Sequence, residues 1–334
     1  MTEASAASMK PSIEASRGPE ELTGAAEGPV VKCIDHLLIR VADPGPLLSV
    51  FSEIFGLPLA WREGSHGFYT NAGIFAGNVD LEIIRFGPPA AKAAPQPARI
   101  YGVVFEGHQP LASTLAELAR RNIQCSGNIR FGAKLPEGST VNPFNQRLLG
   151  GLLGGNIWTR LVFCITQLPV YGKINQVRSA SSSAKGGSID RFLLDRAFAS
   201  GFVSMVEYEP QFRQRAEERR GKNHAELCSR AGGSLGILGL DEVVVGLKHL
   251  DDVELRWRRL LGSPNGQNFR LRQGPGIKLV SSDRDVLEAL VFQVQSVAAA
   301  VEFLAERNML GAYSNQEITI AASSLDGLQV RLRE

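Results

Sequence analysis

From Val30 onward the chain alternates apolar and polar side chains. VVKCIDHLLIRV places His36, Leu38 and Arg40 on one face and Leu37, Ile39 and Val41 on the other, the period-two pattern of a strand. DPGPLLSVFSEIFGLP then changes period. Leu47, Leu48, Phe51 and Phe55 form a helical stripe behind an Asp cap and early prolines, and Gly56 with Pro58 ends it. Further strands are predicted around residues 59–63, 68–75 and 79–86. The same order returns with a strand at 99–105 and a helix over 110–123, whose stripe includes Leu111, Leu115 and Leu118.

The pattern repeats at longer range. LDEVVVGLKHLDDVELRWRRLLGSP aligns without a gap to IDHLLIRVADPGPLLSVFSEIFGLP at a shift of 206 residues, matching Gly262 to Gly56, Pro264 to Pro58 and Trp257 to Phe51. A fourth copy sets EALVFQVQSVAAAVEFLAERNML against YGVVFEGHQPLASTLAELARRNI. Four β-α-β-β-β modules, an α+β class, follow. One helix covers one face of a four-stranded sheet, so two modules must pair to enclose a cleft. The expected organisation is a disordered tail over 1–30, a first domain over 31–210, a helical connector over 211–235 ending at Gly232 and Gly233, and a second domain over 236–334. Residues 124–201 fit the module poorly and read as an insertion, with a strand at 161–168 and a mobile Ser/Gly-rich loop at 172–190. GLLGGN at 151–156 lacks the GK[ST] ending of a phosphate loop.

Composition narrows the partners. Lys+Arg 36 against Asp+Glu 34 gives no reason to expect nucleic acid or a membrane surface, which leaves small molecules. No apolar run reaches the roughly 18 residues of a membrane span. The four cysteines form no CxxC pair, and a reducing, cytoplasmic location fits best. Strand parity also sets Cys33 and His36 on opposite faces. With four modules in one chain, pairing can close within a monomer, and a homodimer is not required.

A repeated βαβββ unit opening on IDHLLIRV and closing on VDLEIIRF resembles the vicinal oxygen chelate superfamily, which includes glyoxalase I, extradiol dioxygenases and bleomycin-binding proteins. The resemblance covers roughly residues 32–110, 202–210 and 238–334. It implies two glyoxalase-like half-barrel domains, with a metal held by the first and last strands of paired modules. Carried onto this chain, the ligand positions fall on His36, Glu82 in LEI and Glu207 in FVSMVEYEP, while the fourth falls on Tyr101. Glu209 is the substitute if the register is off by two. An imidazole with two carboxylates suits Mn, Mg, Ni, Co, Zn or Fe.

The resemblance implies metal-dependent chemistry of a lyase or isomerase kind on a small oxygenated molecule. Glu207 would be the catalytic base, and Tyr101 and Arg40 would line the substrate pocket. Extradiol cleavage is disfavoured, because one His lies on a ligand strand while His66 and His108 fall in loops. The alternatives are a non-catalytic small-molecule binding protein, or a scaffold with decayed sites. In the second domain the equivalents of His36 and Glu82 are Glu242 and Lys278. They are expected to form an ion pair that leaves this domain without a metal. Arg213, Arg215, Arg219 and Arg220 of the connector read as a solvated helix face.

Overall fold

The computed structural model describes residues 28–65, 69–87, 96–130, 133–134, 140–141, 143–168, 196–314 and 316–334. Residues 1–27 of the expected tail, His66 and the 172–190 loop lie outside them.

Module one comprises β1 (Val31–Arg40), α1 (Pro44–Ser49, running on as a π-helix over Val50–Ile54), β2 (Leu59–Ser65), β3 (Tyr69–Phe75) and β4 (Asp80–Phe86). Asp43 caps α1 by accepting the Gly45 N–H at 3.3 Å. Module two comprises β5 (Arg99–Gly107), α2 (Leu111–Arg120), β6 (Ile129–Arg130), a ribbon of β7 (Ala133–Lys134) and β8 (Thr140–Val141), β9 (Phe144–Leu149), α3 (Ile157–Gln167) and β10 (Phe202–Tyr208). Together they form an eight-stranded sheet in the order β2-β3-β4-β1-β5-β10-β9-β6. In each module the first strand runs parallel to the last, and the modules join where β1 and β5 pair antiparallel.

The connector is α4 (Pro210–Ser229). The second sheet takes β11 (Ile237–Leu247), α5 (Leu250–Leu261), β12 (Asn268–Phe269), β13 (Gly276–Ser281), β14 (Val286–Val294), α6 (Val297–Glu306), β15 (Leu310–Tyr313), β16 (Glu317–Ile320) and β17 (Val330–Arg333). Its order is β12-β13-β11-β14-β17-β16-β15, with one strand fewer in module three among the described residues. The paired-module α+β architecture is therefore present.

Two features depart from the sequence pattern. Residues 161–168 were expected as a strand, yet 161–167 belong to α3 and Leu168 is its C-cap, and at the start of the helix the Asn156 cap accepts the Thr159 N–H at 2.9 Å. A short apolar run satisfies either period, and the cap decides between them. The segment 124–201 also supplies β6 and β9, which complete the module-two sheet.

The helix-side faces share one core. Leu37, Ile39, Leu81, Ile83, Val103, Phe105, Val203 and Met205 of the first sheet belong to the same buried cluster as Val243, Val245, Leu279, Leu290 and Phe292 of the second. Polar contacts cross the same seam. The Asn78 side chain brackets Leu240, donating to its carbonyl at 2.9 Å and accepting from its N–H at 3.0 Å. Trp257, buried on α5 at the position matching Phe51, donates its indole N–H to the Leu152 carbonyl at 2.9 Å. Trp257→Ala is expected to cost about 3–5 kcal/mol, and Trp257→Phe about 1–2 kcal/mol through the orphaned carbonyl. Urea denaturation checks both, and a cost for Trp257→Ala below that of Trp257→Phe contradicts this account.

Candidate metal centre

A bulge in β1 builds the site. The ladder to β5 slips between Ile34 and His36. Ile34 and Leu37 both enter the helix-side core, so the two residues between them share the opposite, concave face. Asp35 and His36 therefore stand side by side, and His36 Nδ1 lies 2.7 Å from Asp35 Oδ2. A carboxylate there makes Nδ1 the protonated nitrogen and turns Nε2 outward. On β4, Leu81 and Ile83 face the helix side and Glu82 the concave side, where His36 Nε2 stands 3.5 Å from Glu82 Oε2. Asn71 of β3 donates to the other Glu82 oxygen at 2.6 Å.

The surrounding charges come from α4. The Arg220 guanidinium donates to Asp35 Oδ1 at 2.9 Å, to the Asp35 carbonyl at 2.7 Å and to Asp80 Oδ2 at 2.8 Å. Arg219 reaches the same Asp80 oxygen at 2.7 Å and stacks over Trp61. Tyr208 of β10 donates its hydroxyl to Asp35 Oδ2 at 2.8 Å. Burial works against an ionised Asp35, yet the His36 hydrogen bond and the Arg220 charge hold its carboxyl below the usual range. Burial likewise opposes charge on His36, but the Asp35 hydrogen bond, with the charges of Asp35 and Glu82, raises its pKa. Burial and the Asp35 charge push the Tyr208 phenol well up.

The opposite end of the concave face is a packed aromatic plug. Leu38, Ile84, Tyr101, Val104, Leu148, Phe163, Phe198 and Val206 form a second buried cluster, with Phe86 and Phe202 packed on it. Tyr101 is buried against the Phe86 and Phe202 rings, and the Arg40 guanidinium sits 5.3 Å from its centroid. Tyr101 and Arg40 thus share the concave face with His36, but as filling.

Glu207 requires a correction. Val203 and Met205 point to the helix-side core and Glu207 follows them, while Val206 belongs to the concave cluster. Its carboxylate accepts the Leu111 N–H at the start of α2 at 2.8 Å, so it caps a helix and takes no place beside His36. The residue on β10 that reaches the site is Tyr208, one position along. Glu209 begins α4 as its N-cap residue. His108 lies in the turn after β5, and Cys33 approaches Glu106 at 3.7 Å.

In the second domain the ladder equates Glu242 with His36 and Lys278 with Glu82, as the repeat predicts. The expected Glu242–Lys278 ion pair does not form. Glu242 instead lies 2.9 Å from Arg333 and 3.8 Å from Arg270, cations of the last strand and of the β12–β13 loop.

No family model and no curated protein matches this sequence. Solved structures do. An extradiol ring-cleaving dioxygenase from B. fuscum superposes with a TM-score of 0.51 at 7% identity, covering 93% of this chain and 74% of that one. The chain has the vicinal oxygen chelate fold. A homoprotocatechuate 2,3-dioxygenase from Arthrobacter globiformis gives 0.50 at 9% identity over 93% and 81% of the two chains. The 2,3-dioxygenase LapB from Pseudomonas sp. KL28 gives 0.50 at 12% over 92% and 93%.

In a vicinal oxygen chelate fold the donor set decides whether an ion fits. Two ligands held about 2.1 Å from one tetrahedral ion stand about 3.4 Å apart, and the His36–Glu82 separation of 3.5 Å matches this. The Asp35–His36 contact is the outer-shell arrangement that orients a metal-binding imidazole. His36 and Glu82 therefore fit one divalent ion as a two-donor half-site, although no cluster of three or more His, Cys, Asp or Glu ligands occurs among the described residues. The module-two face contributes Val104, Ser204 and Val206 in place of further ligands.

Arg220→Met leaves Asp35 and Asp80 buried without their shared cation, and a stability loss of about 3 kcal/mol or more is expected. Arg220→Lys should recover part of it, because one ammonium cannot span both carboxylates in the same way. Glu207→Gln should cost only about 1 kcal/mol through the weakened cap. Thermal and chemical denaturation measure all three, and an Arg220→Met loss no larger than that of Glu207→Gln contradicts the assignment.

Proposed function

We propose that this chain is a metal-dependent enzyme of the vicinal oxygen chelate type, acting on a small oxygenated, aromatic molecule in its first domain. The observation that carries the reading is the His36–Glu82 pair at chelating separation, with Asp35 fixing the imidazole from behind. His36 Nε2 and one Glu82 oxygen would hold the ion, while Asn71 keeps the other Glu82 oxygen turned away. A bound divalent ion would supply Lewis-acid stabilisation of oxygen anions on the substrate. Two protein donors leave the remaining coordination positions to water or adjacent substrate oxygens.

The chain's own groups do the rest. Asp35 holds the proton of His36 at Nδ1 and keeps Nε2 free of it when an ion is present. Tyr208, bonded to Asp35, the Phe144 ring packed on it, and Tyr69, which feels the Glu82 charge, present aromatic surface beside the half-site, which favours a flat or conjugated substrate. Lyase or isomerase chemistry belongs to this reading, as does extradiol ring cleavage, the activity named for one of the fold neighbours.

A second reading, a metal-free binding protein, draws on the charge balance of the site. Asp35, Asp80 and Glu82 face Arg219, Arg220 and a His36 ring that can carry its own charge. Elemental analysis of protein purified after growth with Mn, Fe, Co, Ni and Zn separates the two. About one equivalent in the wild type, lost in His36→Ala and in Glu82→Ala but kept in Glu207→Gln, supports the enzyme. Wild-type protein that remains metal-free under all five supplements overturns it in favour of the binding protein. Turnover of thiol adducts of 2-oxoaldehydes against turnover of catechols then distinguishes isomerisation from ring cleavage.

A further inference from the structure

The second half of α4 carries a separate piece of chemistry. His224 and Cys228 lie one helical turn apart, and His224 Nε2 stands 3.6 Å from Cys228 Sγ. The other ring nitrogen, Nδ1, meets the Gly77 carbonyl in the β3–β4 turn at 3.2 Å. A carbonyl can only accept, so Nδ1 is the donor in the neutral ring and Nε2 presents its lone pair to the thiol. The imidazole is further fixed by an edge-on contact with Phe75. A nucleophile, a base in reach of it and a third group that sets the base's tautomer are the parts of an activated thiol.

The other cysteines provide the contrast. Burial, with the charge of Glu106, pushes Cys33 up to about 12, and burial pushes Cys125 up to about 11, so both are poor nucleophiles at neutral pH. Cys164 is exposed on α3, as Cys228 is on α4, but no base stands beside it among the described residues. Accessibility alone therefore leaves two candidates, and the neighbouring imidazole singles out one. Cys228 lies in the last turn of α4, away from the free N–H groups of a helix start. The advantage of Cys228 must then come from its contact with His224.

We propose that Cys228, with His224 as its base, is a selective thiol-modification site for soft electrophiles and small disulfides, independent of the half-site at His36. With a small disulfide, Cys228 Sγ attacks one sulfur, its proton passes to His224 Nε2, the new S–S bond forms and the other sulfur leaves as thiolate. With an alkyl iodide, an S–C bond forms and iodide leaves. The adduct sits on the face of α4 that docks on the β3–β4 turn, two to three turns beyond Arg219 and Arg220.

The test is peptide mass spectrometry of the native full-length chain during timed exposure to iodoacetamide and, separately, glutathione disulfide at pH 7. Cys164 serves as the reference within the same molecule. Cys228 is expected to react about tenfold faster than Cys164. His224→Asn keeps a donor near the position of Nδ1 for the Gly77 carbonyl but removes the base. It should bring Cys228 down to the rate of Cys164 while leaving Cys164 and the helical circular-dichroism signal unchanged. Cys228 reacting no faster than Cys164 overturns the proposal, as does an unchanged Cys228 rate in a folded His224→Asn. If that variant loses helical signal, the ratio of Cys228 to Cys164 in the wild type alone decides.

Discussion

A carboxylate taken out of water needs a cation, and this requirement organises the first domain. Asp35 and Asp80 are almost fully buried on neighbouring strands, within reach of the same guanidinium. Their burial is compensated because α4 delivers Arg220 between them and Arg219 beside Asp80. What the His36 ring does depends on this. Its Nδ1 is set by Asp35, Asp35 is set by Arg220 and Tyr208, and only then does Nε2 face Glu82. The connector between the domains is thus part of the site's electrostatics.

The second domain applies the same rule to a different end. The β11 ladder slips between Leu240 and Glu242, as β1 does between Ile34 and His36, and an acidic pair, Asp241 and Glu242, stands where the first bulge holds Asp35 and His36. Asp241 is held by Arg270 and Arg333, and burial of Asp241 is outweighed so that its carboxyl stays below the usual range. Glu242 has lost nearly all exposure and stands within ion-pair distance of Arg333, but neither oxygen is aligned for a hydrogen bond. With arginines filling the space beside Glu242, that domain offers a cation an occupied seat.

Much of this was legible in the sequence, because alternation and repeat length report directly on which face a side chain takes. The strands of module one, the α1 cap, the 206-residue repeat and the common face of His36 and Glu82 all followed from period and spacing. A bulge leaves no mark on that period. Asp35, which parity would send to the core, was therefore invisible as the partner of His36. The register of β10 escaped for a related reason. In FVSMVEYEP either Glu207 or Tyr208 can face inward on pattern alone, and the Leu111 N–H that binds Glu207 lies 96 residues away. Arg219 and Arg220 look like solvated charges until Asp35 and Asp80 are known to be buried. An aspartate on each of two central strands was the signal that cations had to arrive from somewhere.

The placement of α4 bears on how such a chain can be cut and recombined. A tandem protein with self-sufficient halves can lose or exchange one of them at the joining segment. Here the first sheet ends at Tyr208, but the guanidiniums that neutralise its interior begin eleven residues later, on the stretch that leads into the other half. A break at the sheet boundary would strand two acids in an apolar wall. Separating the halves at that boundary would therefore take from one of them the countercharges that its own strands do not supply.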